Sequence, residues 1–428
     1  MRFSLVVATF GALTAPAAAG GLTLPVQGVR SLERAGALIA GAGDADALWL
    51  DPAGLGHTAG AGHQNLMFDV AYVYDHVTYS AGAANQQPGA PAPTIAGAYG
   101  VSDRLVIGGG FSMAYVGVHR YDTTGPTRYA STNLAGSSFA RVTLGAAYLV
   151  TPELRVGATI TDAITKLDHQ LVVSACPGSM AAMTCNRAYD MPIAIAETDY
   201  LAPTGSLGVQ WDAAPAFTLG AVVQAPTRVA ADGTLALTPP PVLAGAMVHG
   251  NTVDESFTLP PIARAGIEWH TPIVRVEAAL DVELWSLHDA ITIQPRGVTV
   301  GAMPLQRMSI PRDFQTSYAP SLGAELHLGA AQIGAGIAYE TSAAPPSYVS
   351  ALTVDSAKLL VTLGGGYSYD GWQIGAAAGY ARLDDVTVTD PKVPLLEPLH
   401  DSGAQTFVNG GTYKSYYLVA GLRLGRAL

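Results

Sequence analysis

In Ile273–Trp285, IVRVEAALDVELW, apolar side chains recur at every second position. Val274, Val276, Ala278, Leu280, Val282 and Leu284 fall on one face of an extended chain. Arg275, Glu277, Ala279, Asp281, Glu283 and Trp285 fall on the other. The same period of two runs through Gly371–Ala381, with Trp372, Ile374, Ala376, Ala378 and Tyr380 opposite Gln373, Gly375, Ala377 and Gly379. It returns in Thr412–Gly425, where Tyr416, Leu418, Ala420, Leu422 and Leu424 oppose Ser415, Tyr417, Val419, Gly421 and Arg423. These are strands with one apolar face and one face of glycines and scattered charges. A soluble antiparallel sandwich alternates too, so the connections have to decide.

The connections alternate in length. Short turns are expected at Ser102–Arg104, Thr151–Glu153, Asp212–Pro215, Thr271–Pro272, Gly329–Ala330 and Asp370–Gly371. Long polar or proline-rich connections are expected at Thr123–Gly136, Val173–Asp199, Thr238–Glu255, Gln294–Arg312, Thr341–Val354 and Thr389–Gly411. Beside the short turns, on the apolar face, stand Tyr148, Trp211, Phe217, Trp269 and Trp372, where an interfacial aromatic girdle belongs. Six short turns join twelve strands, and one strand near Leu66–Tyr79 and another over Thr412–Gly425 bring the number to about fourteen. The expectation is an all-β protein: a transmembrane antiparallel β-barrel of about fourteen strands, with both ends on the short-turn, periplasmic rim.

Composition agrees. The chain has 428 residues, 49% of them hydrophobic, with a net charge of −11. Only 13% are charged, about half the roughly 25% of a soluble domain. An acidic balance without basic clusters excludes a nucleic-acid partner. Arg2, the apolar Phe3–Leu13 and Ala17-Ala18-Ala19 read as a signal peptide cut between Ala19 and Gly20. Cys176 and Cys185 flank a turn-rich stretch and, in an exported protein, are expected to form one local disulfide. The organisation is then a signal peptide at 1–19, an N-terminal segment at 20–62 and a barrel at 63–428.

The segment 20–62 does not alternate and carries Leu32, Leu38, Ile39, Leu48, Trp49 and Leu50, which need cover. A barrel of about fourteen strands is too wide for its own side chains to fill, so this segment is expected to plug the lumen. Its GAGDADALWLDPAGLG resembles the hatch of the FadL-type outer-membrane transporters of long-chain fatty acids and other hydrophobic compounds, with Pro52-Ala53 in place and Asp51 where that family usually has Asn. DVELWSLHDAITI, the stretch from Tyr339 to Leu383, and NGGTYKSYYLVAGLRLG are similar to later strands of that family. The resemblance implies a Gram-negative outer-membrane protein that takes up hydrophobic small molecules by lateral diffusion through the barrel wall. Its partners would be a hydrophobic ligand and outer-membrane lipids, around a monomer and without a cofactor.

LVIGGGFSMAYVGVHRY resembles the family's third strand, whose kink opens the wall, but has Met113 and Ala114 where a proline is often found. Gly108-Gly109-Gly110 is the candidate for the break, facing the Asp51-Pro52-Ala53 turn; alternatively these glycines make room for the hatch. Arg141, Arg155, Arg264, Arg275 and Arg423 face Glu268, Glu277, Asp281, Glu283 and Glu325 across the lumen. They are expected to pair with one another and with the hatch, since unpaired buried charge is costly; a minority could instead hold a ligand carboxylate. No nucleophile elbow, zinc-binding helix motif or phosphate loop is present. A porin for polar solutes is the alternative, and a lipid hydrolase a more remote one.

Overall fold

The computed structural model describes residues 28–87, 89–176, 187–400 and 406–428. The signal-peptide junction at Ala19–Gly20 and Cys185 lie outside them; Cys176 is disulfide-bonded. Fourteen antiparallel strands form a closed barrel. They are β1 (Gln64–Tyr79), β2 (Ala90–Gly100), β3 (Leu105–Val116), β4 (Ser138–Leu149) and β5 (Leu154–Ser174). Five strands in two parts follow: β6 (Asp190–Asp199, Pro203–Ala214), β7 (Phe217–Gln224, Thr227–Leu237), β8 (Thr252–Leu259, Ile262–His270), β9 (Val274–Glu283, Ala290–Arg296) and β10 (Met308–Pro311, Ser317–Leu328). The last are β11 (Ala331–Glu340), β12 (Lys358–Tyr369), β13 (Trp372–Leu383) and β14 (Gly411–Ala427). β14 pairs with β1 from Asn65↔Ala427 to Tyr79↔Tyr413 and closes the sheet.

The outer face is apolar. Leu144, Ile160, Leu207, Leu363, Ile374 and Leu422 are exposed around it, and Tyr148, Trp211, Phe217, Trp269 and Trp372 are 40–49% exposed beside the short turns. Five of the six short turns fall where the sequence places them; the sixth, expected at Asp212–Pro215, is displaced to Pro215–Ala216 because Asp212–Ala214 stay in the strand. Among the described residues no helix is long and apolar enough to cross a membrane; the apolar band lies on the strands. About 9–11 tilted residues suffice for a strand to cross, whereas β5 has 21. Its upper half therefore stands above the membrane, as do the upper parts of β6 to β10. These enclose an apolar core that includes Phe139, Leu171, Ile193, Val229, Phe257 and Ile293.

This upper tier is where the sequence reading falls short. The sequence predicts a connection over Val173–Asp199, yet Asp190–Asp199 pairs with both β5 and β7. Outside the membrane a strand need not show lipid an apolar face, so the alternation that marks the lower strands weakens.

Candidate functional site

Residues 28–62 fill the lower lumen. A short helix, Val29–Glu33, is followed by 3₁₀ turns at Ala45–Leu48 and Pro52–Thr58, and nearly every residue of the segment from Ser31 to Gly56 is buried. The wall makes room for it with glycine. A Cβ on Gly157 would lie 2.2 Å from the Pro52 carbonyl carbon, and one on Gly336 2.3 Å from that of Arg34. The glycine-rich inner face is therefore a seat moulded to the hatch backbone.

Charge fixes the hatch in that seat. Arg423 on β14 donates to Asp69 of β1 (2.8 and 3.0 Å) and to Asp44 (3.1 Å) and Asp46 (2.8 Å) of the hatch. On the other side Arg34 of the hatch meets Glu268 (2.9 Å), Glu277 (3.2 Å) and Glu325 (3.5 Å). Glu277 also accepts the backbone N–H groups of Ile39 (2.6 Å), Ala40 (2.9 Å) and Gly41 (2.9 Å). Arg264 pairs with Asp281 (3.1 Å), Arg275 with Glu268 (3.3 Å) and Arg155 with Asp212 (2.8 Å). Glu283 accepts from the Trp285 indole, and Arg141 donates to the Ser112 hydroxyl (3.2 Å) and lies over Trp49. Arg30 pairs with Asp44 (3.1 Å) and Glu325 (3.3 Å). The sequence reading does not single out Arg30, Arg34, Asp44, Asp46 or Asp69; the available signal is the acidic pair spaced two residues apart after the arginines of the first helix.

Above the hatch lies a cavity of about 90 Å³ lined by Leu50, Ala114, Phe139, Arg141, Arg264, Asp281 and Glu283, among others. Phe139 also lines a smaller, mostly apolar cavity of about 50 Å³ in the upper core, with Tyr115, Leu167, His169, Glu255, Phe257 and Arg312. The two cavities thus share one side chain, and together they run from the extracellular core down to the hatch.

Gly108, Gly109 and Gly110 do not break the wall. They pair in register with Ala98, Gly97 and Ala96 of β2 and with Gly145, Leu144 and Thr143 of β4. A Cβ on Gly110 would meet Trp49 at 2.8 Å and one on Gly108 would touch Leu55, so these two make room for the hatch. The Asp51-Pro52-Ala53 turn sits elsewhere, against Gly157 of β5 and Gly208 of β6.

The break is four residues higher. Pairing of β3 with β4 shifts between Met113 and Tyr115, leaving Ala114 as an extra residue. Such a bulge reverses the inside–outside alternation beyond it: Met113 follows the outward Phe111, yet Tyr115 packs inward on Phe139 at 5.0 Å. At the same level the β2–β3 ladder ends with Thr94↔Ser112, while β2 stays paired with β1 to Ala90↔Val73. Gly100 N–H bonds His63 of the β1 side at 2.8 Å, so the odd-numbered residues of β2 face β3. Pro91 and Pro93 are both odd and have no N–H to offer. The missing prolines of the third strand are thus found across the gap, on the second. The gap closes again above, where the Asn85 amide bonds the Asp75 and Val118 carbonyls, each at 2.7 Å. Its inner margin, Ala114, lines the lumen cavity.

Among known proteins, the family described as "Outer membrane protein transport protein (OMPP1/FadL/TodX)" matches residues 10–414. No curated protein sequence matches the chain. A Pseudomonas aeruginosa FadL homologue superimposes with a TM-score of 0.80 at 16% identity, over 95% of this chain and 99% of that one. The Pseudomonas putida toluene transporter TodX gives 0.66 at 17% identity, over 95% and 99%. The Ralstonia pickettii toluene transporter TbuX gives 0.64 at 18% identity, over 92% and 99%.

Proposed function

The chain belongs to the OMPP1/FadL/TodX family of outer-membrane transport proteins, and from that premise we propose that it passes hydrophobic small molecules from the cell surface into the outer membrane through the gap between β2 and β3. The observation that carries this reading is the sharing of residues. Phe139 lines both cavities, and Ala114 lines the lower cavity and borders the gap. An apolar solute held beside Phe139 has the hatch below it and a wall of alanine and proline beside it. Leaving through the wall keeps it out of water, which an apolar surface favours by about 25 cal/mol per Å². The unpaired stretch is tolerable in hydrocarbon because proline has no donor to leave unsatisfied. Similar solved structures are those of toluene transporters and a monoaromatic hydrocarbon channel, and a small aromatic hydrocarbon is the first substrate to try here. The apolar band around the barrel fits a monomer surrounded by lipid.

Deleting Ala114 tests the route. It removes the bulge, so that Tyr115 follows Met113 in regular alternation, still inward opposite Phe139, and the β2–β3 ladder can extend past Ser112. Uptake of toluene or a fluorescent fatty acid by cells should fall several-fold while the barrel still assembles. Full uptake by a correctly assembled deletion variant would remove this exit. The porin alternative predicts large, steady ion conductance in planar bilayers; this reading predicts little.

A further inference from the structure

We infer that the wall contains a second lateral portal, between β6 and β7 in the outer-leaflet half of the barrel, serving the same apolar solutes; this rests on the lateral-exit reading above. The two strands pair from Ser206↔Gln224 downward and from Asp232↔Thr198 upward. Between these, 199–204 and 226–231 form no ladder with each other, although the register is the same on both sides of the interruption.

The missing bonds have specific causes. Ala225 N–H donates to the Gly205 carbonyl at 2.9 Å, so the odd-numbered residues of β6 face β7. Pro203, next in that row, has no donor. Leu201 N–H turns instead to the carboxylate of Asp199 at 3.0 Å. On the far side of β7, Pro226 falls opposite Pro260 in the register that joins Gln224↔Ile262 and Thr227↔Leu259, and neither can donate.

Side chains span the gap in place of the ladder. Asp199 accepts from Ala230 N–H at 2.7 Å, and the Thr204 hydroxyl donates to the Ala225 carbonyl at 2.8 Å. A hydroxyl and a carboxylate can rotate away, which a ladder of backbone bonds cannot do without unzipping. Thr204, Gln224 and Thr227 line the same lumen cavity as Ala114, so both gaps open on one chamber. Outside, Leu201 is 73% and Val223 57% exposed, and Tyr200 stands fully out at 76%. Leu201 lies ten residues above the girdle residue Trp211; at ~3.3 Å per residue and a tilt of ~40° it sits about 25 Å higher, near the upper edge of the apolar band.

The experiment joins Thr204→Cys to Thr227→Cys with a reducible bis-thiosulfonate crosslinker in the full-length protein and follows uptake of toluene and of a fluorescent fatty acid. Partial loss, restored by reductant, is expected, with complete loss when Ala114 is also deleted. Loss on crosslinking with no effect of deleting Ala114 would support this portal while removing the one at β3. Uptake unchanged by the crosslink but abolished by deleting Ala114 would overturn the second portal and leave the first standing. If neither change mattered, lateral exit and this inference would both fall. As a measurement independent of transport, bimane on Thr204→Cys should be quenched by doxyl-labelled lipid; quenching by aqueous iodide alone would also overturn the portal.

Discussion

Asp51 has one more carboxylate oxygen than its surroundings satisfy. Oδ1 accepts from Ala53 N–H at 2.9 Å, while Oδ2 is buried without a hydrogen-bond partner among the described residues. Burial, reinforced by the charge of Glu277, pushes its pKa up to about 8. A carboxyl raised in the folded state contributes most below its unfolded value, near 3.9, and that contribution is lost as pH rises through the folded one. The hatch should therefore loosen between about pH 4 and pH 8, and Asp51→Asn, which supplies the family's usual amide, should flatten that dependence and hold Tm level at the alkaline end. A wild-type melting curve insensitive to pH across that range would contradict the assignment. Arg423 presents the opposite case, a cation whose removal leaves Asp46 and Asp69 without their ion pair and Asp44 with Arg30 alone, in a dry site. Arg423→Met should destabilise hatch docking by about 3–5 kcal/mol, the usual consequence of breaking a buried charge cluster from one side. Raised ion leak in planar bilayers, with the barrel still formed, is the expected readout.

At the scale of the strand, Pro93→Val restores a donor on the edge of β2 that faces β3. One added rung opposite Met113 should narrow the gap and slow uptake without abolishing it. Gly109→Val makes a useful contrast: its Cβ would point at Leu144, at 3.2 Å, away from the hatch. That substitution crowds the lipid face of a regular ladder and should leave uptake near wild type; a strong loss would return the opening to the glycines. The difference between these positions explains what was legible in the sequence. Trp211, Asp370-Gly371 and the alternation of Ile273–Trp285 report bilayer thickness and turn chemistry, which act on each residue alone. The bulge at Ala114 leaves no such mark, because alanine neither requires nor forbids an extra residue. It follows from what β2 cannot donate, and that relation exists only between strands. Arg34 was illegible for a similar reason, since its three carboxylates lie over two hundred positions away on β8, β9 and β10.

For the whole molecule, a closed barrel with a docked hatch should migrate faster before boiling than after it in semi-native gels, and should give a β-dominated circular dichroism spectrum. Arg423 adds a consequence for how the protein assembles. The last strand must find the first across nearly the full length of the chain, the largest loop the fold closes and hence its slowest kind of contact. The guanidinium that joins Asp69 of β1 to β14 is the same one that holds Asp44 and Asp46. Until the seam zips, the plug lacks its principal anchor there; once it zips, the anchor is complete. Insertion into the bilayer and sealing of the pore thus become a single cooperative event, and a half-built barrel that leaks is not a resting place on the pathway.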